Sequence, residues 1–462
     1  MKQMFTKLIS AASLMALVLT GFTVKAQEKT LAALPSGKKA EMKDTTVNTA
    51  KKVEGTTVAP KKADDTFVPI RRVWGYGFGD LYYAPHTDVG NRGAETMYNG
   101  VPSNRNAFQF RRLYLGYDYD IDSRWSAEVL LASEPNANTG VNGTTAIQNG
   151  DNLVDGKMAF WIKNFNIRYK NLFPGTDLVV GEMSTPGFAL NGQAPSATHN
   201  GNNAPTSLSE ATWGYRFIEK TITDFHKNNS YDVGAALQGT FDPATRNFGY
   251  VFMVGNNSTS SLLSAANANT GFYKIFYGDL WGKFFNKHLY VDIYADYAPT
   301  AAATAAVGGQ NHSIKKIFAA YINPKFTLGV EAYTQNIANG VTNATTKEAS
   351  DATVNGLSIW AKGAIVKDKM GWFARYDSYN PSTDYDNTAS YTVNTNYGSY
   401  NPSFKETFYT AGLDFTTGPK IHFSPNLWLI DYKDQRASTT AGYVAPDHTL
   451  VVRATFYYTF GK

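Results

Sequence analysis

Charged residues recur in this chain at every second position of segments whose alternate positions are apolar or aromatic. Arg112, Asp118 and Asp120 alternate with Leu113, Leu115, Tyr117 and Tyr119, and Arg168 and Lys170 with Phe165, Ile167 and Tyr169. Arg375 and Asp377 alternate with Trp372, Ala374 and Tyr376, and Arg453 with Val452, Ala454, Phe456, Tyr458 and Phe460. Cations and carboxylates gathered on one face of a wall are suited to attracting, orienting and passing hydrated ions or small polar solutes, a task without bond-making. The same residues can instead neutralise one another in ion pairs, and the pattern alone leaves both readings open.

Bond-making chemistry has little to work with. The chain has no cysteine, which excludes disulfides, thiolate metal sites and cysteine nucleophiles. The seven histidines are His86, His199, His226, His288, His312, His422 and His448, and none lies in a G-x-S-x-G nucleophile motif. His199 next to Asn200, and His226 near Asp224, are the constellations closest to a catalytic set, and surface histidines are the simpler account of them. The acidic pairs Asp151 with Asp155 and Asp384 with Asp386 read as solvated loop groups rather than calcium ligands. The expectation is therefore a protein that is not an enzyme, with no catalytic residue, no metal site and no cofactor; a barrel hydrolase is the lesser alternative. No basic feature points to nucleic acid.

The elements that must carry these residues are short strands of period two. Leu450 to Phe460 shows the period most plainly, with Val451, Arg453, Thr455, Tyr457 and Thr459 on the opposite side. An arginine facing lipid at the bilayer midplane would cost roughly 2–4 kcal/mol, so Arg453 belongs to an inner, wet face. By the same argument Tyr231, Val233, Ala235, Leu237 and Phe241 face out, opposite Asp232, Gln238 and Thr240. Leu289, Val291, Ile293, Ala295 and Tyr297 face out, opposite Asp292 and Asp296. Tyr82, Tyr83, Trp125, Trp161, Tyr297 and Tyr458 stand near strand ends and are expected to form interfacial aromatic girdles.

The gaps between these segments alternate in length. The short ones are 120–123, 170–175, 241–246, 285–287, 322–325, 367–370 and 416–420; the long ones are 84–105, 134–157, 184–229, 256–270, 299–312, 336–353, 380–403 and 433–447. Seven short and eight long connections predict a 16-stranded antiparallel transmembrane β-barrel, all-β, with both termini on the short-turn side. A barrel of this size is too wide for side chains to fill.

Residues 1–26 read as a cleaved signal peptide: Lys2 and Lys7 precede an apolar run from Leu8 to Phe22, and Ala26 closes a short small-residue site. The run is shorter than the ~20 residues that span a bilayer as a helix. Residues 27–67 are rich in Lys, Thr and Ala and read as a flexible periplasmic tail. The barrel then occupies 68–462, in the outer membrane of a Gram-negative bacterium. Of the 43 Lys and Arg, three fall in 1–26 and eight in 27–67, and six of the 38 Asp and Glu fall in 27–67, so the barrel carries 32 charges of each sign. The net charge of +5 thus belongs to the N-terminal segments and implies nothing about ion preference.

The longest gap, 184–229, contains Ser207-Leu208-Ser209-Glu210, the spacing of a capping box, and then Trp213 and Phe217 four residues apart. A short helix over 211–221 is the natural reading. Loops of this size usually carry function, and a structured third loop can fold toward the lumen and narrow it. Glu210, Arg216, Glu219 and Lys220 are then the constriction candidates, and Arg112, Asp118, Arg168, Lys170, Arg375, Asp377 and Arg453 the lumen-wall candidates. The alternative leaves this loop as an external cap.

Phe108 to Tyr117 (FQFRRLYLGY), Val180 to Phe188 (VGEMSTPGF), Tyr231 to Gly239 (YDVGAALQG) and Arg375 to Pro381 (RYDSYNP) occur in the order seen in the phosphate-selective porin O and P family, which the chain resembles over nearly the whole barrel. The resemblance implies a 16-stranded channel, often a homotrimer, with an inward-folded third loop. It also implies an arginine ladder, for which Arg112, Arg168, Arg375 and Arg453 are the positions on offer. The gap 299–312 contains no Lys or Arg, unlike the lysine-bearing loop of phosphate-selective members, and Phe460 is followed by Gly461 and Lys462 where the family usually ends on an aromatic. The expected function is passive diffusion of small hydrophilic solutes or ions, with anions such as phosphate the special case. A structural or adhesive barrel is the alternative.

Overall fold

The computed structural model describes residues 67–69, 71–88, 101–134, 153–154, 157–158, 160–187, 208–226, 230–257, 273–300, 308–386, 391–393, 403–418, 420–435 and 444–461. The segment read as a signal peptide, 1–26, and nearly all of that read as a tail, 27–67, lie outside them. Sixteen strands form the wall: β1 (Arg71–His86), β2 (Arg105–Asp120), β3 (Trp125–Ser133), β4 (Trp161–Phe173), β5 (Thr176–Ser184), β6 (Tyr231–Thr240), β7 (Phe248–Gly255) and β8 (Ile275–Phe284). The second half comprises β9 (Leu289–Tyr297), β10 (His312–Ile322), β11 (Phe326–Asn343), β12 (Ala349–Val366), β13 (Met370–Asn380), β14 (Phe404–Thr416), β15 (Ile421–Asp434) and β16 (His448–Phe460). Each strand pairs antiparallel with its neighbours in sequence, and β1 pairs with β16, from Gly75 opposite Phe460 to His86 opposite Leu450. The sheet therefore closes and has no free edge.

Short turns are built from polar side chains that satisfy the backbone locally. Asp122 accepts from the N–H groups of Arg124 and Trp125, and Asn323 from those of Lys325 and Phe326. Asp242 does the same for Asn247 and Phe248. At the β8–β9 turn Phe285, Asn286 and Lys287 all have positive φ, a tight reversal that non-glycine residues adopt only when the turn demands it.

The two faces follow the period of two. Phe165, Ile293, Leu427 and Phe456 are exposed on the outside, whereas Asp118, Asp292, Arg375 and Arg453 are buried inside. Two β-bulges alter that rule. Arg112 pairs with Phe78 and Phe110 with Gly79, so Arg111 is an extra residue, and both arginines enter the lumen. In β4, Asn164 pairs with Leu130 and Ile162 with Leu131, so Lys163 is extra in the same way. Strict alternation with Leu113 and Phe165 would have turned Arg111 and Lys163 outward, at a cost of roughly 2–4 kcal/mol each.

Four expectations need correction. Trp161 packs against the interior cluster, with Lys163 Nζ 5.0 Å from its ring, because the bulge at Lys163 reverses the face of every residue before it. Tyr82 is buried inside with Phe408 and Trp428, since it shares parity with Asp80. Neither residue belongs to a girdle, in contrast to the exposed Tyr83, Trp125, Tyr297 and Tyr458. Tyr231 is also buried rather than outward, 5.1 Å from Lys163 Nζ, where β6 meets the third loop. Finally, 336–353 is not a long gap: β11 runs on to Asn343 and β12 restarts at Ala349. The Asn339-Gly340 pair that resembles a turn forms a bulge between Ile337 and Val341, and Asn343 makes the turn by accepting from Thr345 and Thr346 N–H groups. Short strand Tyr391–Val393 pairs with the resulting overhang.

An outer face in contact with lipid makes a direct prediction. Ile293→Arg, at the middle of β9, should destabilise the barrel in lipid vesicles by about 2–4 kcal/mol in urea unfolding. A loss near zero would mean that this face does not sit in an apolar layer.

Candidate functional site: the third loop inside the barrel

Sixteen strands about 4.8 Å apart, tilted by about 40°, enclose a ring roughly 30 Å across. Side chains from opposite walls cannot meet over that distance. Something else must cross it, and residues 208–226 of the third long connection do so.

The expected helix over 211–221 is instead two short ones, α1 (Leu208–Trp213) and α2 (Ile222–Phe225). The break falls at Gly214, whose φ of +69° ends α1 while its N–H still donates to Glu210 carbonyl. A Cβ there would lie 3.1 Å from Lys362 Nζ, so glycine also fits the wall at this point. The apolar side chains Leu208, Trp213, Phe217 and Ile218 are fully buried against Trp74, Phe78, Phe318, Trp360, Phe373 and Tyr457 of the wall. The 16-stranded shell thus has a hydrophobic core inside its lumen, formed by a loop.

Polar contacts tie the same segment around the ring. Leu208 N–H donates to Asp292 on β9, Lys316 on β10 reaches Ser209 Oγ at 3.2 Å, and Thr223 donates to Glu331 on β11. Cations of the wall cap loop carbonyls in series: Lys362 on β12 binds Trp213, Arg111 on β2 binds Phe217, Arg453 on β16 binds Ile218 and Arg375 on β13 binds Lys220. Trp428 on β15 donates to Glu219 Oε2, and His226 stacks on Tyr379 at 3.6 Å with Glu406 of β14 nearby. Through these polar and stacking contacts nine of the sixteen strands hold this 19-residue segment, and β1 packs against it through Trp74 and Phe78.

At the centre of the loop is an ion triad. Arg216 Nη1 lies 3.2 Å from Glu210 Oε1 and also pairs with Asp224, and all three side chains are buried. Burial opposes the Arg216 charge, but Asp224 and Glu210 outweigh it and hold the guanidinium above its ordinary value. Glu210 therefore serves Arg216 and the Thr221 N–H at 3.3 Å. Ser207 lies outside the described residues. Sequence reading has Arg216, Glu219 and Lys220 projecting into the water path; Arg216 is locked between carboxylates, Glu219 accepts from Trp428 and from Lys220 N–H, and the Lys220 side chain lies 5.9 Å from the Phe225 ring. The reason is that the segment packs its apolar face on the wall and turns its charges onto itself.

The lumen-wall candidates are all inward, and each is engaged. Arg168 pairs with Asp177 at 3.1 Å and binds Gln238, Lys170 pairs with Asp120 at 2.5 Å, and Arg375 pairs with Asp377 at 2.6 Å. Asp118 receives Arg72 and Trp74 Nε1, Arg112 pairs with Glu134, and Arg453 binds Asn426. Sequence reasoning missed Arg111, Lys163, Lys316, Lys362 and Glu331. The first two enter by bulges, which leave no periodic signal; Lys316 was legible as the inward neighbour of the outward Ile317.

No family model matches the chain, and no curated protein matches it. Solved structures do. The outer-membrane channel DcaP of Acinetobacter baumannii superposes with a TM-score of 0.52 at 9% identity, covering 87% of this chain and all of that one. The fold is that of a 16-stranded porin barrel. An anion-selective porin from Comamonas acidovorans gives a TM-score of 0.49 at 12% identity, covering 85% of this chain and 100% of its own.

If the triad holds the loop in place, Arg216→Met leaves Glu210 and Asp224 buried without that cation, at a cost of about 3–5 kcal/mol. Hydrogen exchange of the 208–226 amides should then accelerate by about a hundredfold or more while the wall amides stay protected. Unchanged protection in the loop would show that the triad is not what fixes it.

Proposed function

We propose that this protein is an outer-membrane channel through which small hydrophilic solutes diffuse passively, with residues 208–226 as its constriction. The observation that carries the reading is a closed barrel, apolar outside and charged inside, whose third loop is fastened to nine wall strands from within. Residues 1–26 direct export, 27–67 remain as a periplasmic tail, and the outer membrane of a Gram-negative bacterium is the destination.

Selectivity in this reading is weak. Arg168, Arg375 and Arg453, which an arginine ladder would present to anions, are each within hydrogen-bonding distance of a carboxylate, an amide or a loop carbonyl. Arg168 and Arg375, each paired with a carboxylate at about 3 Å, exert a much reduced field on a passing ion. General permeation of small polar solutes follows, rather than a dedicated phosphate path.

Purified protein in a planar bilayer should give stepwise conductance, and a salt gradient should give a reversal potential far below the Nernst limit for either ion. Replacing 208–226 with a Gly/Ser segment of equal length should enlarge the steps. Silence from folded protein, with and without that replacement, would overturn the reading and favour a closed barrel.

A further inference from the structure

At the long-loop rim, His86 ends β1 and His448 begins β16, the two strands whose pairing closes the barrel. A register shift between Tyr83 and His86 brings the two imidazoles together, stacked with centroids 4.1 Å apart at 25°. Asp447 lies between them: its Oδ1 is 2.9 Å from His86 Nε2 and its Oδ2 is 3.2 Å from His448 Nδ1. The three ligand atoms all fall within 4.8 Å of one another. Ligands at about 2.0–2.1 Å from a tetrahedral ion sit about 3.4 Å apart, so the two rings would turn out of their stacked arrangement for this set to converge on one point.

We propose that His86, Asp447 and His448 form a binding site for a divalent transition-metal ion of the zinc class, acting as a clasp across the seam of the barrel. Two imidazoles and one carboxylate are a borderline donor set that suits zinc, nickel or copper and not calcium or magnesium, which take oxygen ligands. The support beneath the ligands is built. Asp447 N–H donates to Asp88 Oδ2 at 2.6 Å, Asp447 carbonyl accepts from Tyr432 N–H at 2.8 Å, and Asp88 N–H donates to Thr449 Oγ1. Thr87, beside His86, is fixed by Ser103 and Val101. The three side chains remain 36–65% accessible, which admits an ion from solution and leaves positions for water. His86 and Asp447 are 361 residues apart, so an ion bridging them would join the first strand to the last.

Untagged, chelator-treated barrel titrated with zinc chloride by calorimetry at pH 7.5 should take up one ion per chain with saturation, and the urea midpoint should rise with zinc. His86→Ala with His448→Ala should abolish both effects, with folding checked by circular dichroism. Asp447→Asn keeps the shape of the side chain and should weaken binding at least tenfold; Asp88→Asn, a positioning change, should weaken it by about 10–100-fold. No saturable uptake by the unaltered barrel, or uptake unchanged in the double variant and in Asp447→Asn, overturns the proposal.

Discussion

A closed sheet in an apolar layer allows an ionised side chain on one of its faces only. That constraint organises the rest of this molecule. It accounts for the alternation along most of the wall, for the closure of the ring, and for two bulges at which a cation is turned inward. At Arg111 and Lys163 the chain carries a cation on the wrong parity, and each time one extra residue is inserted so that the charge turns inward. A bulge costs one ladder position; an arginine or lysine in lipid costs more.

Moving the charges inward creates a second problem, a ring wider than its own side chains can fill. The third loop answers it with both kinds of interaction available there. Leu208, Trp213, Phe217 and Ile218 bury apolar surface against aromatic residues of the wall, and cations from β2, β12, β13 and β16 bind the backbone carbonyls that a non-helical segment leaves open. The positive residues of the lumen therefore serve mainly to hold the loop and to pair with neighbouring carboxylates. A polar inner face of this kind is compatible with passive permeation by small solutes.

How far this was legible differs by element. The short turns were readable to within a residue or two, because Asp122, Asn323 and Asp242 act locally. The gap 336–353 was read as a long connection, whereas the strands run on through a bulge between Ile337 and Val341 that only the pairing with the partner strand reveals. Within the third loop the break at Gly214 was visible in principle, whereas the spacing of Trp213 and Phe217 suggested one continuous helix. Arg168, Arg375 and Arg453 are buried on the inner side of the wall, and their partners Asp177, Asp377 and Asn426 could not be chosen from the sequence.

The amino-acid sequence by itself determined the strand number, the side of each turn and the face of most residues, because these depend on a period of two and on turn residues close in the chain. The tertiary structure alone decided where the loop lies, which cations it binds and that His86 meets Asp447 and His448. Most of those contacts join residues far apart in the chain, and they arise only once the ring closes and fixes the register of its strands.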